Sequence, residues 1–174
     1  MKSKLIPVSL VVLLALILSS CNASMYVKRN KAEDYHKKIT DNLTVLLTHS
    51  EGERYTEWSN GFKGELISEF GQYGVTVEIT EFPVVFGMTT LSAKDIHTPN
   101  PNGLVLIIAE ERIVEEGKSI TSEFSFTLFD ETMDRNVWKT TIPAVIKGGL
   151  GSIEGRGKKS VKYLFDLLKK DGLI

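Results

Sequence analysis

Cys21 is the only cysteine in the 174 residues, and it is the side chain whose position most clearly indicates chemistry. A lone thiol excludes an intrachain disulfide and a cysteine-rich zinc site. A thiolate is a strong nucleophile, so the single cysteine can have a use other than cross-linking the chain. Cys21 directly follows an apolar stretch, and this context decides which modification we expect.

The residues before Cys21 have the pattern of an export signal. Lys2 and Lys4 precede an apolar run over Leu5–Leu18. As a helix this run would be about 21 Å long, too short for a bilayer core of roughly 30 Å. We therefore predict a signal peptide over residues 1–20 that is removed on export.

Leu18-Ser19-Ser20-Cys21 resembles the lipobox of bacterial lipoproteins. The resemblance implies that the Cys21 sulfur carries diacylglycerol, that cleavage falls between Ser20 and Cys21, and that the new amino group is acylated. Asn22 stands where an Asp commonly retains lipoproteins at the inner membrane, so the resemblance implies the outer membrane, facing the periplasm. In a host with one membrane, the outer face of the cell membrane is implied. Two alternatives are a conventional secretory signal cleaved near Ala23 and an uncleaved anchor.

Other residues that could do chemistry do not form a recognisable site. Gly157-Lys158 lacks the upstream glycine and the following Ser or Thr of a phosphate-binding loop, and no Gly-x-Ser-x-Gly occurs. Glu110 and Glu111 are neighbours on a predicted strand and so point to opposite faces, and we interpret them as solvated charges at the end of that strand. The histidines have no pairing at helical or strand spacing; they are His36, His49 and His97. We predict no metal, no cofactor and no enzymatic activity.

The composition is that of one ordinary globular domain, with 42% hydrophobic and 25% charged residues. The formal net charge is −1, and removal of Lys2 and Lys4 with the signal peptide makes it −3. This charge balance argues against nucleic-acid binding. We predict a flexible tether over residues 21–40 and a single domain over 41–174.

Hydrophobic periodicity predicts the order β-α-β-β-β-β-α for this domain. The expected strands are 42–48, 75–80, 104–109, 120–128 and 137–146, with helices over 53–72 and around 161–170. The first helix has an aromatic stripe that we assign to the core: Tyr55, Trp58, Phe62, Leu66, Phe70 and Tyr73. The predicted fold class is α/β (α+β), a two-layer domain with a five-stranded mixed sheet and both helices on one face.

Residues 82–103 form the least regular part of the predicted domain, with prolines at 83, 99 and 101. Long connections without regular structure are often functional. This one has an apolar group, Val85, Phe86, Met88 and Leu91. The group is either a short extra strand packed on the domain or a contact surface for a partner protein.

Residues 124–142 resemble a hairpin of small envelope lipoproteins, in which an apolar strand, an Asp and a polar turn lead to Val-Trp, here Val137-Trp138. With the element order, this resembles the α/β fold of the LpoB-type lipoproteins, the TolB N-terminal domain and the CsgG-like proteins over residues 42–170. The tether, the lack of a recognisable catalytic motif and the apolar residues of 82–91 favour a non-enzymatic interaction module that binds another envelope protein. A subunit of a lipid or solute export apparatus is the alternative, and a hydrolase with a dispersed site is a third hypothesis.

Overall fold

The structure is a computed structural model that describes residues 29–50, 52–84 and 103–174. Within them, six strands form one mixed sheet, and two helices pack on one of its faces. The strands are Arg29–Lys31 (β1), Asn42–Ser50 (β2), Thr76–Val84 (β3), Leu104–Glu116 (β4), Ser119–Asp130 (β5) and Arg135–Lys147 (β6). The helices are Glu53–Gly71 (α1) and Ile153–Lys170 (α2). The predicted α+β class and mixed sheet are confirmed.

The sheet has the strand order β1-β6-β5-β4-β2-β3. β2 lies between β3 and β4 and pairs in parallel with both, which confirms the predicted βαβ unit. β4, β5 and β6 form the predicted antiparallel meander. The parallel strands β2 and β3 both end at the edge of the sheet where α1 and α2 begin, so side chains from distant sequence positions meet there.

The number of strands differs from the prediction, because the sheet has six rather than five. The additional strand, β1, pairs with β6 in antiparallel orientation, with Arg29 opposite Thr140 and Lys31 opposite Trp138. Its three residues are charged or polar, so hydrophobic alternation could not reveal it. Residues 29–40 were predicted to belong to the tether and instead pack on the domain, where Tyr35 and Ile39 are buried.

Alternation along the strands divides the apolar side chains between the two faces of the sheet. The helix-side core contains Leu43, Val45 and Leu47 of β2, together with α1 and α2. A smaller buried cluster lies on the other face and consists of Leu46, Val105, Ile107 and Phe129. Of the predicted aromatic stripe, Trp58, Phe62, Leu66 and Phe70 are fully buried, whereas Tyr73 is exposed.

The second helix begins earlier than the apolar pattern indicated. Ser152 caps α2, and its hydroxyl accepts a hydrogen bond from the Gly155 N–H at 3.0 Å. Part of the predicted glycine-rich connection is therefore helical. Gly61 and Gly157 explain why glycines occur in both helices, since a Cβ atom on either would overlap a backbone carbonyl of the other helix. The glycines allow close helix packing that outweighs their low helix propensity.

Candidate functional site

The predicted site residues lie outside the part of the chain that the structure describes. These are Ser20 and Cys21 of the lipobox and the apolar group Val85, Phe86, Met88 and Leu91. The described residues do include both places where these segments join the domain. They are the N-terminal junction, residues 29–40, and the end of β3 at Val84.

The N-terminal junction consists of residues 29–40, and its first three residues form β1. Arg29 forms an ion pair with Asp171 at 3.5 Å, and the Lys31 ammonium group donates a hydrogen bond to the Asp171 carbonyl oxygen at 2.6 Å. The Asp171 carboxylate also accepts a hydrogen bond from the Trp138 indole N–H at 2.7 Å. Asp171, at the C-terminal end of α2, therefore binds side chains of both β1 and β6.

The rest of the junction is held by both burial and hydrogen bonds. The Ile39 N–H donates to the Leu173 carbonyl oxygen at 2.7 Å, and Tyr35 is 2% exposed. Asp34 pairs with Arg135, whose hydrogen bond lowers the pKa of the Asp34 carboxyl group. The junction is therefore attached to the domain by β1, by its two buried side chains and by backbone hydrogen bonds, and it is not a free linker.

The Asp130 carboxylate is buried, with 1% of the residue exposed, and it pairs with Lys37 of the junction. Its Oδ1 atom accepts hydrogen bonds from the Thr132 hydroxyl and backbone N–H, and its Oδ2 atom lies 3.6 Å from the Lys37 ammonium group. Burial opposes ionisation, but Thr132 and Lys37 outweigh it and lower the pKa of the Asp130 carboxyl group. Burial, with the nearby Asp130 charge, raises the pKa of the Tyr35 phenol.

A second polar group, which we name the strand-end cluster, lies where β2 and β3 end beside α1. Its members are His49, Ser50, Tyr55, Ser59, Lys63, Glu81, Glu110 and Ser122. They come from five elements and from positions up to 73 residues apart in the printed sequence. No local spacing indicated this cluster, and Glu110 in particular was expected to be a solvated charge at a strand end.

Glu81 is the centre of one half of the strand-end cluster. It accepts hydrogen bonds from the Ser59 hydroxyl and from the Lys63 ammonium group, the latter at 2.7 Å. The His49 Nε2 atom lies 3.4 Å from the same carboxylate. Burial would raise the pKa of Glu81, but the hydrogen bonds from Lys63 and Ser59 outweigh it and lower the pKa. A carboxylate with a lowered pKa is a weak general base.

Glu110 is the centre of the other half. Its Oε2 atom accepts hydrogen bonds from the Ser50 hydroxyl at 2.6 Å and from the Ser50 backbone N–H at 2.9 Å. The hydroxyls of Tyr55 and Ser122 lie 3.0 Å apart and share a hydrogen bond. Burial raises the pKa of the Tyr55 phenol. These contacts join β2, β4 and β5 to α1.

The geometry of the cluster fits a structural role better than nucleophilic catalysis. An activated serine donates its hydroxyl proton toward a base such as histidine. Here the Ser50 and Ser59 hydroxyls donate to carboxylates, and the His49 Nδ1 atom is 2.8 Å from the Ser50 carbonyl oxygen. The serine hydroxyls are thus paired within the cluster, although the buried Glu110 Oε1 atom has no hydrogen-bond partner. The contacts connect the strand ends to α1.

A cleft of about 270 Å³ lies where β1 meets β6, below the usual size of a ligand pocket. It is lined by Asn30, Ala32, Asn136, Val137, Trp138 and Lys139. No group of three His, Cys, Asp or Glu side chains in the described ranges is arranged to hold a metal ion. None of the helices in these ranges has the length and apolar character needed to cross a bilayer.

No protein-family model matches the sequence, and no curated protein matches it. The structure is similar to that of the PelC dodecamer from Paraburkholderia phytofirmans, at 14% identity over 82% of this chain and 95% of that chain, with a TM-score of 0.47. Protein XCC0632 from Xanthomonas campestris has 9% identity over 82% of this chain and 89% of that chain, with a TM-score of 0.44. Lipoprotein GNA1162 from Neisseria meningitidis has 19% identity over 75% of this chain and 99% of that chain, with a TM-score of 0.36.

Proposed function

We propose that this chain is a lipid-anchored accessory protein of the bacterial cell envelope. In this proposal, Cys21 carries the lipid and holds the domain at the outer membrane, facing the periplasm. The domain acts by binding another envelope protein, without catalysing a reaction. The lipobox resemblance of Leu18–Cys21 supports the anchor, and the self-paired strand-end cluster supports a non-enzymatic role.

The observation that carries the proposal is the packed N-terminal junction. Arg29 follows Cys21 by eight residues, which span at most about 27 Å when fully extended. From Arg29 onward the chain is part of the domain, with β1 paired to β6 and Tyr35 buried. A lipid on Cys21 would therefore hold a rigid domain close to the membrane surface, as suits a protein that contacts membrane-associated partners.

Replacement of the lipidated residue tests the anchor. Cys21→Ala should move the protein from the membrane fraction to the soluble fraction, because a stable anchor needs acyl chains. Its melting temperature should match that of the wild type, since residue 21 precedes the packed junction. The matched control is Ser24→Ala, which leaves the lipobox intact and should stay in the membrane fraction. Retention in the membrane fraction of a Cys21→Ala polypeptide that has lost residues 1–20 would contradict the anchor.

The same resemblance makes a prediction about which membrane is occupied. Asn22→Asp places the inner-membrane retention signal directly after the lipidated cysteine. In a host with two membranes, the wild type should sediment with the outer membrane and Asn22→Asp with the inner membrane on a density gradient. Sedimentation of both with the inner membrane would contradict the proposed location.

We further propose that the apolar group Val85, Phe86, Met88 and Leu91 contacts the partner protein. A double variant, Phe86→Asp with Leu91→Asp, should fail to recover a cross-linked partner that the wild type recovers. Ile67→Asp is the matched control, because Ile67 is 50% exposed on α1. The melting temperature of each variant is also measured. Lost recovery at an unchanged melting temperature is the expected result, whereas a large fall in melting temperature would place this group in the core instead.

A further inference from the structure

Leu150 is the most exposed large hydrophobic side chain among the described residues, at 94% exposure. The others of this kind are Ile67, Tyr73 and Met133, which are between 42% and 50% exposed. Leu150 lies in the loop between β6 and α2, at the edge of the sheet where β6 ends. A leucine with almost no protein contact is available for a surface outside the domain.

The loop that presents Leu150 has a defined shape. Gly148, Gly149 and Gly151 have φ angles of 77°, 75° and 83°, a region that other residues rarely adopt. The Arg156 guanidinium group donates a hydrogen bond to the Gly148 carbonyl oxygen. A Cβ atom on Gly148 would lie within 3.1 Å of the Ser119 backbone. Glycine is therefore required for the turn, and the turn directs Leu150 outward.

The chain that precedes Arg29 starts out toward the edge of the sheet where the Leu150 loop lies. β1 is antiparallel to β6, so the backbone at Arg29 leads back toward Lys147 and away from Arg135. Thr140, opposite Arg29, is about 23 Å from Lys147 along the strand. Arg29 follows Cys21 by eight positions, which can span about 27 Å, so a lipid on Cys21 can lie level with the Leu150 loop.

We propose that the Leu150 loop docks on the lipid surface to which Cys21 is anchored, and this inference rests on the proposed function. Leu150 enters the boundary between head groups and acyl chains, where an apolar side chain is stabilised. Lys118 in the adjacent turn and Lys147 at the end of β6 can meet anionic head groups. Glu115 and Glu116 in the same hairpin offset this charge, so the apolar contact is the main one.

Tryptophan placed at Leu150 tests the proposal in the full-length, lipidated protein. Leu150→Trp is compared with Met133→Trp, because Met133 lies in the turn before β6, at the opposite end of that strand. The native Trp58 and Trp138 are buried and give the same background in both variants. The probe is vesicles of phosphatidylethanolamine and phosphatidylglycerol with brominated acyl chains, which quench tryptophan within the bilayer.

We expect Leu150→Trp to emit at shorter wavelength on vesicles and to be quenched roughly twofold more strongly than Met133→Trp. Equal quenching in two variants that both sediment with vesicles would overturn the docking proposal and leave the anchor intact. Failure of both variants to sediment would refute the proposed anchor and this inference with it. Shielding of Leu150→Trp only on addition of envelope extract would assign the loop to a protein contact and overturn the lipid assignment.

Discussion

The backbone of Gly157 in α2 lies directly against the Trp58 carbonyl group of α1, with no room between them for a Cβ atom. This contact sets the separation of the two helices that cover the sheet. The Trp58 ring in turn stacks on Phe124 of β5, with ring centroids 4.4 Å apart and an interplanar angle of 9°. A change in the separation of the helices at Gly157 would therefore also disturb the packing of Trp58 on Phe124.

Substitution of Gly157 tests this coupling. Gly157→Ala should lower the free energy of unfolding by about 1–3 kcal/mol, because a methyl group there forces the helices apart. Gly64→Ala is the matched control, since a Cβ atom at Gly64 has nothing within 4 Å. That substitution in the interior of α1 should raise stability by up to about 1 kcal/mol. Urea unfolding measures both, and equal effects of the two substitutions would contradict the close helix contact.

The difference between a packed junction and a flexible tether can be measured at Tyr35. Tyr35→Ala should lower the free energy of unfolding by about 3–5 kcal/mol, because the aromatic ring is buried in the core. Tyr73→Ala removes the same side chain from a site that is 45% exposed and should cost much less. If residues 29–40 were a tether, Tyr35→Ala would leave the urea midpoint unchanged.

The buried Asp130 predicts a specific pH dependence of stability. Its pKa in the folded protein is below the ordinary 3.8, so ionisation of Asp130 favours folding above that pH. We expect Asp130→Asn to cost about 1–3 kcal/mol at pH 6, through loss of the charged contacts to Thr132 and Lys37.

The cost of Asp130→Asn should start to shrink as the pH falls below about 4, because the unfolded chain then binds the proton more readily than folded Asp130 does. The stabilisation is fully lost once the pH is below the lowered pKa of the folded protein. Urea unfolding of both proteins from pH 6 to pH 2.5 measures the difference directly. Other carboxyl groups with lowered pKa values, such as Glu81, are present in both proteins and cancel. A cost that stays constant over this range would show that Asp130 stabilises the fold by shape rather than by charge.

Local sequence patterns predicted the parts of the fold in which apolar residues repeat. Leu43 and Val45 alternate with Asn42 and Thr44, and Trp58 and Phe62 recur at helical spacing. β2 and α1 were therefore both recognised within a few residues of their ends. β1 was missed because its three polar residues have no periodicity. They are held by pairing with β6 and by contacts with Asp171, all of which are distant in sequence.

The polar side chains of the strand-end cluster could not be predicted from local sequence patterns either. His49 and Glu81 are 32 residues apart in sequence and meet only because β2 and β3 are parallel neighbours. Glu110 was read as solvated because the partner of its carboxylate, Ser50, lies on another strand. The lipobox, in contrast, is a short contiguous motif, so Cys21 could be identified without any tertiary information.

The most direct test of the account is intact-mass and peptide mass spectrometry of the protein purified from the membranes of its own host. The account predicts a polypeptide that begins at Cys21 and carries diacylglycerol on the sulfur atom and an acyl chain on the amino group. An N-terminal peptide with an unmodified Cys21 thiol, or one that retains residues 1–20, would contradict it.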